Sequence, residues 1–360
     1  MSAQNLSNTS WAFAALRMPN QPLLTAISAA AIASIAEFDM QGLANMLWSF
    51  SSLPLSPVPL ISSLKARIVM TTRECATALT RGFGRLASTA FYEAARFMNH
   101  ICQIIWSLSF AGLLDQSIGY HLKCLMLSLG SQLDAAAAHQ AGQRSAQVAA
   151  CNLQQWRGDT TGIETEPQLL LRLPGVSVAL KPPNWEVDAK GQLSKTGRYL
   201  SHFLQRHHAP EMSPVLRRPE FEYGLVHRLD VPSSGLILVG TRFQGYSLLQ
   251  WQMHTYAIQR EYSVLLRCTA PEPLWDISAP VQDFLPGRSF VDEAGRPAQT
   301  HLKTMFHTRH QCRLSADYFT LVCIAIHTGR RHQIRAHTQW EGYPTVTDEK
   351  YSHREVTVTS

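Results

Sequence analysis

Long apolar runs are absent from this sequence. The most apolar window, residues 23–36, is too short to cross a bilayer, and Thr25, Ser28 and Ser34 interrupt it. The N-terminus has neither the basic region of a secretory signal nor the Arg-rich amphipathic character of a transit peptide. We therefore expect no membrane partner. The sequence names no compartment, so an organelle (mitochondrion or plastid), the cytoplasm and the nucleus all stay open as intracellular locations.

Cysteine pairs with a recognisable spacing are also missing. The seven cysteines, at positions 75, 102, 124, 151, 268, 312 and 323, are odd in number and contain no C-x-x-C. They predict neither a disulfide framework nor a zinc site, which favours a reducing compartment. His327, His332 and His337 recur every five residues, which matches neither an i,i+4 helical pair nor alternate positions of a strand. We predict no metal site.

Length and composition predict a globular protein. The chain has 360 residues, which is enough for two domains, and 45% of them are hydrophobic. The formal net charge of +6 is a mild basic excess. Such an excess suits a polyanionic partner without requiring one, because solubility alone explains many basic proteins.

A repeat occupies the first part of the chain, where seven positions recur at a shift of 37 residues. They are Asn8, Trp11, Phe13, Leu16, Pro22, Leu23 and Ile27, with counterparts Asn45, Trp48, Phe50, Leu53, Pro59, Leu60 and Leu64. This period is typical of helical-hairpin arrays, and the units resemble the octotricopeptide-like repeats of organellar RNA-binding proteins. The aromatic residues favour packing inside each hairpin over stacking on bases. Because the chain starts partway through a unit, we expect further sequence before it.

The pattern changes after a Gln/Gly/Thr-rich stretch. We predict an all-α repeat region over 1–153, a linker over 154–167 and a second domain over 168–360. Short apolar runs in the second domain predict strands, and two segments predict helices. The strand runs include 169–171, 176–180, 236–239, 262–266, 298–306, 319–326 and 333–337, and the helices 196–207 and 243–254. This order predicts an α+β fold with a mixed, mainly antiparallel sheet.

One stretch carries the strongest chemical signal. His227, Arg228, Leu229 and Asp230 are followed by Pro232-Ser233-Ser234-Gly235, which forces a tight turn into the apolar run. A carboxylate held beside cations stays ionised and aimed, as a nucleophile or a general base requires. The alternative from these residues alone is a surface turn whose aspartate caps backbone amides.

The stretch H-R-L-D followed by S-S-G-L-I-L resembles the signature of the RluA-type RNA pseudouridine synthases, H-R-L-D-x-x-T-S-G-L-L-L. Two further blocks occur in the family's order. Arg260-Glu261-Tyr262 resembles its K-x-Y element, and the segment 328–337 resembles its T-G-R-x-H-Q-I-R-x-H element. The run ending in Lys181-Pro182-Pro183 is similar to its entry strand. Three ordered blocks are far more specific than any one of them.

The resemblance implies catalytic roles for three residues. Asp230 matches the nucleophile, Tyr262 the tyrosine that packs on uracil and serves in proton transfer, and Arg335 the arginine that pairs with the catalytic carboxylate. A bidentate guanidinium would keep that carboxylate ionised and oriented. From the residues alone, a tyrosine that packs in the sheet and a surface arginine on an edge strand stay open.

The resemblance also implies the substrate, a uridine in RNA whose base is extruded into a pocket. Which RNA (ribosomal, transfer or messenger) and which oligomeric state are not implied. Isomerisation involves neither redox change nor group transfer, so no cofactor is expected. Six residues are expected to bind the substrate or support the pocket: His227, Arg228, Leu229, Arg330, His332 and Gln333.

Two departures from the family keep a second reading open. Thr347 stands where the family has a glycine, and the chain stops at Ser360, where the family continues with another strand. A lost positive-φ glycine and an exposed sheet edge would both weaken the domain. The alternative function is therefore an RNA-binding protein derived from a synthase. A glycoside hydrolase is disfavoured, because no second carboxylate in these blocks pairs with Asp230.

Overall fold

The computed structural model describes residues 1–53, 57–82, 88–145, 166–188, 197–271, 274–285, 287–311, 316–346, 348 and 350–351. They form two units. The first unit comprises Met1–Trp11, Pro22–Ser51 and Leu55–Thr255, and the second comprises Ala12–Gln21, Ser52–Pro54 and Tyr256–Ser360. The predicted linker 154–167 lies outside the described residues except for its last two positions, so the boundaries at 153 and 168 stay a prediction. Thr347 also lies outside them.

The N-terminal region is helical, as predicted. Its helices are α1 (Ala3–Ala15), α2 (Gln21–Ala33), α3 (Met40–Ser52), α4 (Val58–Gly82), α5 (Ser88–Phe110) and α6 (Gln116–Ser145). Helices α3 and α4 begin 37 residues after α1 and α2, which is the shift of the sequence repeat. Phe50 is buried, whereas Trp11 remains 47% exposed with its ring centroid 6.3 Å from that of Trp48. In the described part of the chain, no helix has the length and apolarity that a bilayer span requires.

Helices α5 and α6 bury apolar residues at the helical period. The buried positions of α5 are Phe91, Ala94, Ala95, Met98, Ile101, Cys102, Ile104, Ile105 and Leu108. Those of α6 are Ile118, Leu122, Leu125, Met126, Leu129, Leu133 and Ala137. Spacings of three, four and seven place such residues on one side of a helix, so burial of this side holds both helices in place.

The first unit also contains a three-stranded antiparallel sheet. Its strands are β1 (Gln168–Leu173), β2 (Val176–Lys181) and β3 (Gly235–Gly240), in the order β1-β2-β3. Two helices, α7 (Leu200–His207) and α8 (Phe243–His254), and the 3-10 segments Pro214–Arg217 and Pro219–Gly224 complete this part. The strand prediction at 236–239 and the helix prediction at 243–254 are confirmed.

Helix α6 packs directly on helix α8 within the first unit. Gly130 permits this approach, because a Cβ there would lie 2.6 Å from the Cα of Gln244. The Asp134 carboxylate accepts hydrogen bonds from the backbone N–H of Phe243 at 2.9 Å and of Gln244 at 3.1 Å. These amides open α8 and have no partner within their own helix. A side chain of the N-terminal helical region therefore caps a helix that follows the sheet.

The second unit contains two antiparallel sheets. A four-stranded sheet has the order β4-β9-β8-β5, and a hairpin joins β6 to β7. The strands are β4 (Glu261–Arg267), β5 (Leu274–Ser278), β6 (Val281–Leu285), β7 (Arg288–Val291), β8 (Gln299–Gln311) and β9 (Ala316–Ile326). Leu266, Ile277, Leu302, Val322 and Ile324 form the core of the larger sheet. All ladders between these strands are antiparallel, which confirms the α+β fold class.

The strand predicted at 333–337 is wrong, because this segment opens α9 (Gln333–Trp340). Gln333, Ala336 and His337 are buried, which is the i, i+3, i+4 spacing of a helix. A five-residue window is too short to separate this period from the alternation of a strand. Arg335 therefore lies on a helix, and the alternative that it is a surface arginine on an edge strand is wrong.

The cap on α8 gives a stability prediction. Asp134→Ala removes the acceptor for two amides at the start of the helix, so we expect a loss of about 0.5–2 kcal/mol in the free energy of unfolding, measured by denaturant titration. Asp134→Asn keeps one oxygen acceptor and should lose less. Ser131→Ala, an exposed position on the same helix, serves as the control. Equal stability of the Ala variant and the wild type would contradict the capping role.

Candidate active site

Asp230 lies in a turn that is attached to β3. The backbone N–H of Ser233 donates to the carbonyl of Asp230 at 3.1 Å, which closes the turn. Nε2 of His227 accepts a hydrogen bond from the N–H of Leu238 at 3.0 Å, so the proton of this neutral ring is on Nδ1. Gly235 begins β3 with φ +146°, a conformation that L side chains rarely adopt. The predicted tight turn before the apolar run is thus present.

Lys181 connects this turn to the end of β2. It occupies the buried side of the strand, after Ser177 and Ala179, and has 0% exposed surface. Its Nζ donates to the carbonyls of Pro182 at 3.0 Å, Trp185 at 2.8 Å and Val231 at 3.2 Å. Val231 directly follows Asp230, so one ammonium group links the segment after β2 to the turn that carries Asp230.

The charge of Lys181 is also affected by this position. Burial lowers its pKa to about 8, and the negative charge of nearby Asp230 partly offsets that effect. The ammonium remains mostly protonated at neutral pH. It therefore places a positive charge beside the candidate nucleophile, in addition to the hydrogen bonds that shape the turn.

The remaining residues of the first block differ in exposure. Leu229 is buried, with a side-chain carbon 3.4 Å from where a Cβ of Gly235 would lie. Arg228 beside it is exposed, and Asp230 is partly buried in the same short turn. The leucine thus anchors the segment that carries the two charged residues. Substrate contacts of His227, Arg228 and Leu229 stay a prediction.

Tyr262 lies on β4 in the second unit. It pairs with Ile324 of β9 and packs against the core of the four-stranded sheet, while part of its surface remains exposed. Two residues before it, Arg260 donates from Nη2 to the carbonyl of His327 at 3.0 Å. Gly329 leaves room for that guanidinium, because a Cβ would lie 2.5 Å from Nη1 of Arg260. The K-x-Y and T-G-R blocks are thereby joined.

Gln333 is the centre of a buried polar network. Its Oε1 accepts from Thr328 Oγ1 at 2.8 Å and from the Arg330 N–H at 3.0 Å, and its Nε2 donates to the Gln299 carbonyl at 2.9 Å and to Thr300 Oγ1 at 3.0 Å. These four bonds saturate the amide. The network supports a positioning role for Gln333, and direct substrate contact stays a prediction.

His337 extends the same network. Its Nδ1 lies 2.8 Å from Thr300 Oγ1, and its Nε2 lies 2.9 Å from the carbonyl of Ala279. A carbonyl accepts only, so Nε2 carries the proton and donates. Burial lowers the pKa of His337, which keeps the ring neutral. In the residues that the structure describes, no group of three or more His, Cys, Asp or Glu side chains could hold a metal ion.

Arg330 and His332 flank the start of α9. Arg330 donates from Nε to the carbonyl of Pro297 at 3.0 Å. Burial, with a smaller effect of the nearby Arg296, lowers its pKa to about 10, so it stays charged at neutral pH. His332 has φ +50°, an uncommon conformation for a side chain of this size, and its Nδ1 lies 3.0 Å from the Tyr351 hydroxyl.

Arg335 forms a two-point ion pair within the second unit. Its Nε donates to Oδ2 of Asp348 at 2.6 Å and its Nη2 to Oδ1 at 2.5 Å. Burial opposes ionisation of Asp348, but the hydrogen bonds from Arg335 and Thr345 outweigh it, so its pKa lies below the ordinary value. Asp230 belongs to the first unit, and its predicted pairing with Arg335 stays a prediction.

Three features were missed at the sequence level. They are the buried ammonium of Lys181, the carboxylate of Asp348 and the hydroxyl of Tyr351. The sequence offers one signal for Lys181, since a lysine that ends an alternating strand before two prolines occupies the buried register. Asp348 and Tyr351 lie beyond the three recognised blocks, and their partners are 13 and 62 residues away along the chain.

Part of this chain is similar to known proteins. The family model described as RNA pseudouridylate synthase matches residues 175–340. Ribosomal large subunit pseudouridine synthase C of Pasteurella multocida is 32% identical over 142 residues, which cover 38% of this chain and 41% of that protein. Its Escherichia coli K12 counterpart is 33% identical over 143 residues, covering 38% and 42%. The chain thus spans about two fifths of the length of these relatives.

Two solved structures also align with the chain. Human RNA pseudouridylate synthase domain containing 1 aligns with a TM-score of 0.39 at 20% identity, covering 55% of this chain and 74% of that one. Human RNA pseudouridylate synthase domain containing 4 aligns with a TM-score of 0.39 at 18% identity, covering 53% and 73%.

The buried ammonium gives a pH-dependent prediction. Lys181→Met leaves three carbonyls without their donor, so we expect a loss of about 1–3 kcal/mol in the free energy of unfolding at pH 7. Between pH 8 and 10.5 the unfolded wild type holds a proton that the folded form has released. Wild-type stability should therefore rise with pH relative to the variant in that window.

Urea titrations of both proteins across this pH range measure the difference. Lys303→Met, at an exposed position of β8, is the control and should show neither effect. A difference between wild type and Lys181→Met that stays constant from pH 8 to 10.5 would contradict the assignment of a lowered pKa.

Proposed function

We propose that the chain isomerises uridine to pseudouridine in RNA as an RluA-type pseudouridine synthase, a proposal supported by the match of residues 175–340 to the family model described as RNA pseudouridylate synthase. The proposal rests most directly on one observation. A carboxylate, Asp230, occupies a turn that a fully buried lysine fixes in place, inside the region that matches the family.

The reaction exchanges two bonds on the same nucleoside. The bond between N1 of uracil and C1′ of ribose breaks, the base rotates, and C5 bonds to C1′. The proton on C5 leaves and N1 gains one, so atoms and electrons balance without a redox partner or a transferred group. A cofactor is therefore not needed in this proposal, and side chains suffice.

Asp230 is proposed as the nucleophile. Its chemistry requires an ionised carboxylate, and the ammonium of Lys181 places a positive charge near it. The turn is held by hydrogen bonds at Val231 and Ser233, which limit its freedom. A fixed carboxylate loses less entropy when it meets the sugar–base bond.

Tyr262 and Arg335 are proposed to complete the chemistry. Tyr262 would pack on the uracil ring and take part in proton transfer at the base, and Arg335 would pair with Asp230. Rigid surroundings support both roles, since Tyr262 packs on its sheet and Arg335 is held by Asp348. Arg228, Arg330 and the exposed Arg331 would contact RNA phosphates, in keeping with the basic excess of the chain.

Release of tritium tests the proposed reaction. RNA labelled with tritium at C5 of uridine should lose label to water with wild-type protein, because C5 exchanges its hydrogen for C1′. Asp230→Ala and Asp230→Asn should lower the rate by about 10³-fold or more, as the loss of a nucleophile does in other enzymes. Glu93→Gln, an exposed carboxylate on α5, is the matched control and should keep the wild-type rate.

Other outcomes would favour the RNA-binding alternative or exclude Asp230 as the nucleophile. No release by wild type on total cellular RNA, combined with RNA binding, would favour the RNA-binding alternative. Equal release by wild type and Asp230→Ala would exclude Asp230 as the nucleophile. Pseudouridine mapping in cellular RNA with and without the protein would then identify the substrate RNA and the position.

A further inference from the structure

A basic groove lies at the C-terminal end of α7, within the first unit. It is open to solvent and has a volume of about 720 Å³. Five of the side chains that line it are guanidinium or imidazole groups: His202, Arg206, His207, His208 and Arg217. None of the described residues that line it is an aspartate or a glutamate. These properties favour an anionic ligand.

Arg217 covers the carbonyl groups at the end of the helix. A bare helix C-terminus presents unpaired carbonyls and repels anions. Here Nη2 of Arg217 donates to the carbonyl of Gln205 at 2.8 Å and to that of His208 at 2.9 Å, and Nη1 donates to that of Ser213 at 3.4 Å. Burial lowers the pKa of Arg217, and the negative charge of nearby Glu211 opposes that effect. A fixed guanidinium thus replaces the exposed carbonyls on this side of the groove.

His208 connects the groove to the sheet. Its Nδ1 lies 3.0 Å from the carbonyl of Leu204, and its Nε2 lies 3.0 Å from Oγ of Ser177 on β2. A carbonyl accepts only, so Nδ1 carries the proton and Nε2 accepts from the serine. Burial lowers the pKa of His208, the bond to Leu204 opposes this, and nearby cations, Arg172 among them, lower it further. The neutral ring therefore shapes the groove, and the positive charge comes from other residues.

Arg206 carries its charge into solvent at the groove. Helix α7 buries Leu200, Phe203 and Leu204 on one side. His202 and Arg206, which are one helical turn apart, are exposed on the other side. Among the described residues, none forms a hydrogen bond or an ion pair with the guanidinium of Arg206. Such a planar group can bind a phosphate at two points.

Strand β2 joins this groove to the turn of Asp230. Ser177, the partner of His208, and Lys181 both occupy the buried side of the strand. Lys181 in turn bonds the turn through the carbonyl of Val231. Four strand residues separate Ser177 from Lys181, which is a rise of about 13 Å. A few nucleotides of RNA span such a distance.

We propose that the groove binds a phosphate group of the RNA substrate, with Arg206 as the main donor and Arg217 as a fixed cation beside it. The proposal rests on the function proposed above, because that function supplies the RNA. It adds a binding site that takes no part in the chemistry. RNA is favoured over an acidic protein segment because the turn at the other end of β2 already requires an RNA nucleoside.

Binding of RNA at several salt concentrations tests the site. The probe is a fluorescently labelled, single-stranded RNA of mixed sequence, and its anisotropy is measured with the full chain. Arg206→Gln should raise Kd by about two- to fivefold, the range expected for an exposed ion pair. The slope of log K against log salt should fall by about 0.7, which corresponds to one phosphate contact on a single strand. Arg206→Lys keeps the charge and should keep the slope, whereas Arg206→Glu adds repulsion and should raise Kd further.

A matched variant controls for the loss of one positive charge. Arg96→Gln on α5 removes a partly exposed arginine outside the groove and should leave Kd and the salt slope unchanged. An unchanged slope in both Arg206→Gln and Arg206→Glu would overturn the proposal. An equal loss in Arg96→Gln would overturn it too, because total charge alone would then explain binding. Binding of polyglutamate in place of RNA, dependent on Arg206, would assign the groove to acidic protein segments and reject the RNA contact.

The ring of His207 gives a local readout. Its Nδ1 donates to the carbonyl of Phe203 at 2.9 Å, so Nε2 is the nitrogen that can meet an anion. In protein with isotope-labelled histidine, RNA should shift the ring signal that is lost in His207→Gln. The same RNA should not shift it in Arg206→Glu. A shift caused by inorganic phosphate but not by RNA would show an adventitious ion only, and would overturn the proposal.

Tritium release separates this site from the proposed reaction. A contact that is equally strong in the bound substrate and the transition state affects KM and not kcat. Arg206→Gln should therefore raise KM by about the same two- to fivefold as Kd. Tritium release with an unchanged KM in Arg206→Glu would overturn the groove and leave the proposed function intact. RNA binding that depends on Arg206, without tritium release by wild type, would support the groove and overturn the function.

Discussion

A lysine ammonium with no exposed surface determines the shape of the candidate active site. Burying a cation is unfavourable unless its donors are satisfied, and Lys181 meets this condition through three carbonyls of the turns around it. Two of these carbonyls lie just after β2, and the third follows Asp230. The ammonium can form all three hydrogen bonds only when both turns adopt their observed conformations. The geometry of the carboxylate is thus tied to the stability of the fold.

The second unit also contains buried polar groups whose hydrogen bonds are satisfied, but these groups are neutral. Gln333 has all four hydrogen-bonding positions occupied, and the neutral ring of His337 continues the network to Thr300 and Ala279. Buried polar groups that are fully paired give rigidity, whereas partly paired ones would cost stability. A polar residue within a motif can therefore reflect support as much as contact. Residues chosen from the motif as substrate ligands, Gln333 above all, have that supporting geometry.

Local patterns predicted most of the fold where one face of an element is buried. The apolar run 236–239 and the segment 243–254 have enough length and periodicity to specify a strand and a helix. The strand prediction at 333–337 failed because five residues fit both the helical period and the alternation of a strand. The turn at His332 that starts the helix also requires a positive φ. β5 pairs with β8, a partner further along the chain, and β6 and β7 are short strands of one hairpin. Lys181, Asp348 and Tyr351 also have partners that are distant in sequence, so a linear pattern could not show which groups they contact.

The contact between α6 and α8 ties the N-terminal helices to the segment that follows the sheet. Asp134 occupies the start of α8, Gly130 admits its backbone, and the ring of Phe91 packs with that of Phe243 at a centroid separation of 5.5 Å. Without α6, the amides that open α8 would lose their acceptor, and without α5 the ring of Phe243 would lose part of its cover. Separating the helices from the sheet would therefore expose apolar surface on both segments, so the two segments depend on each other for stability.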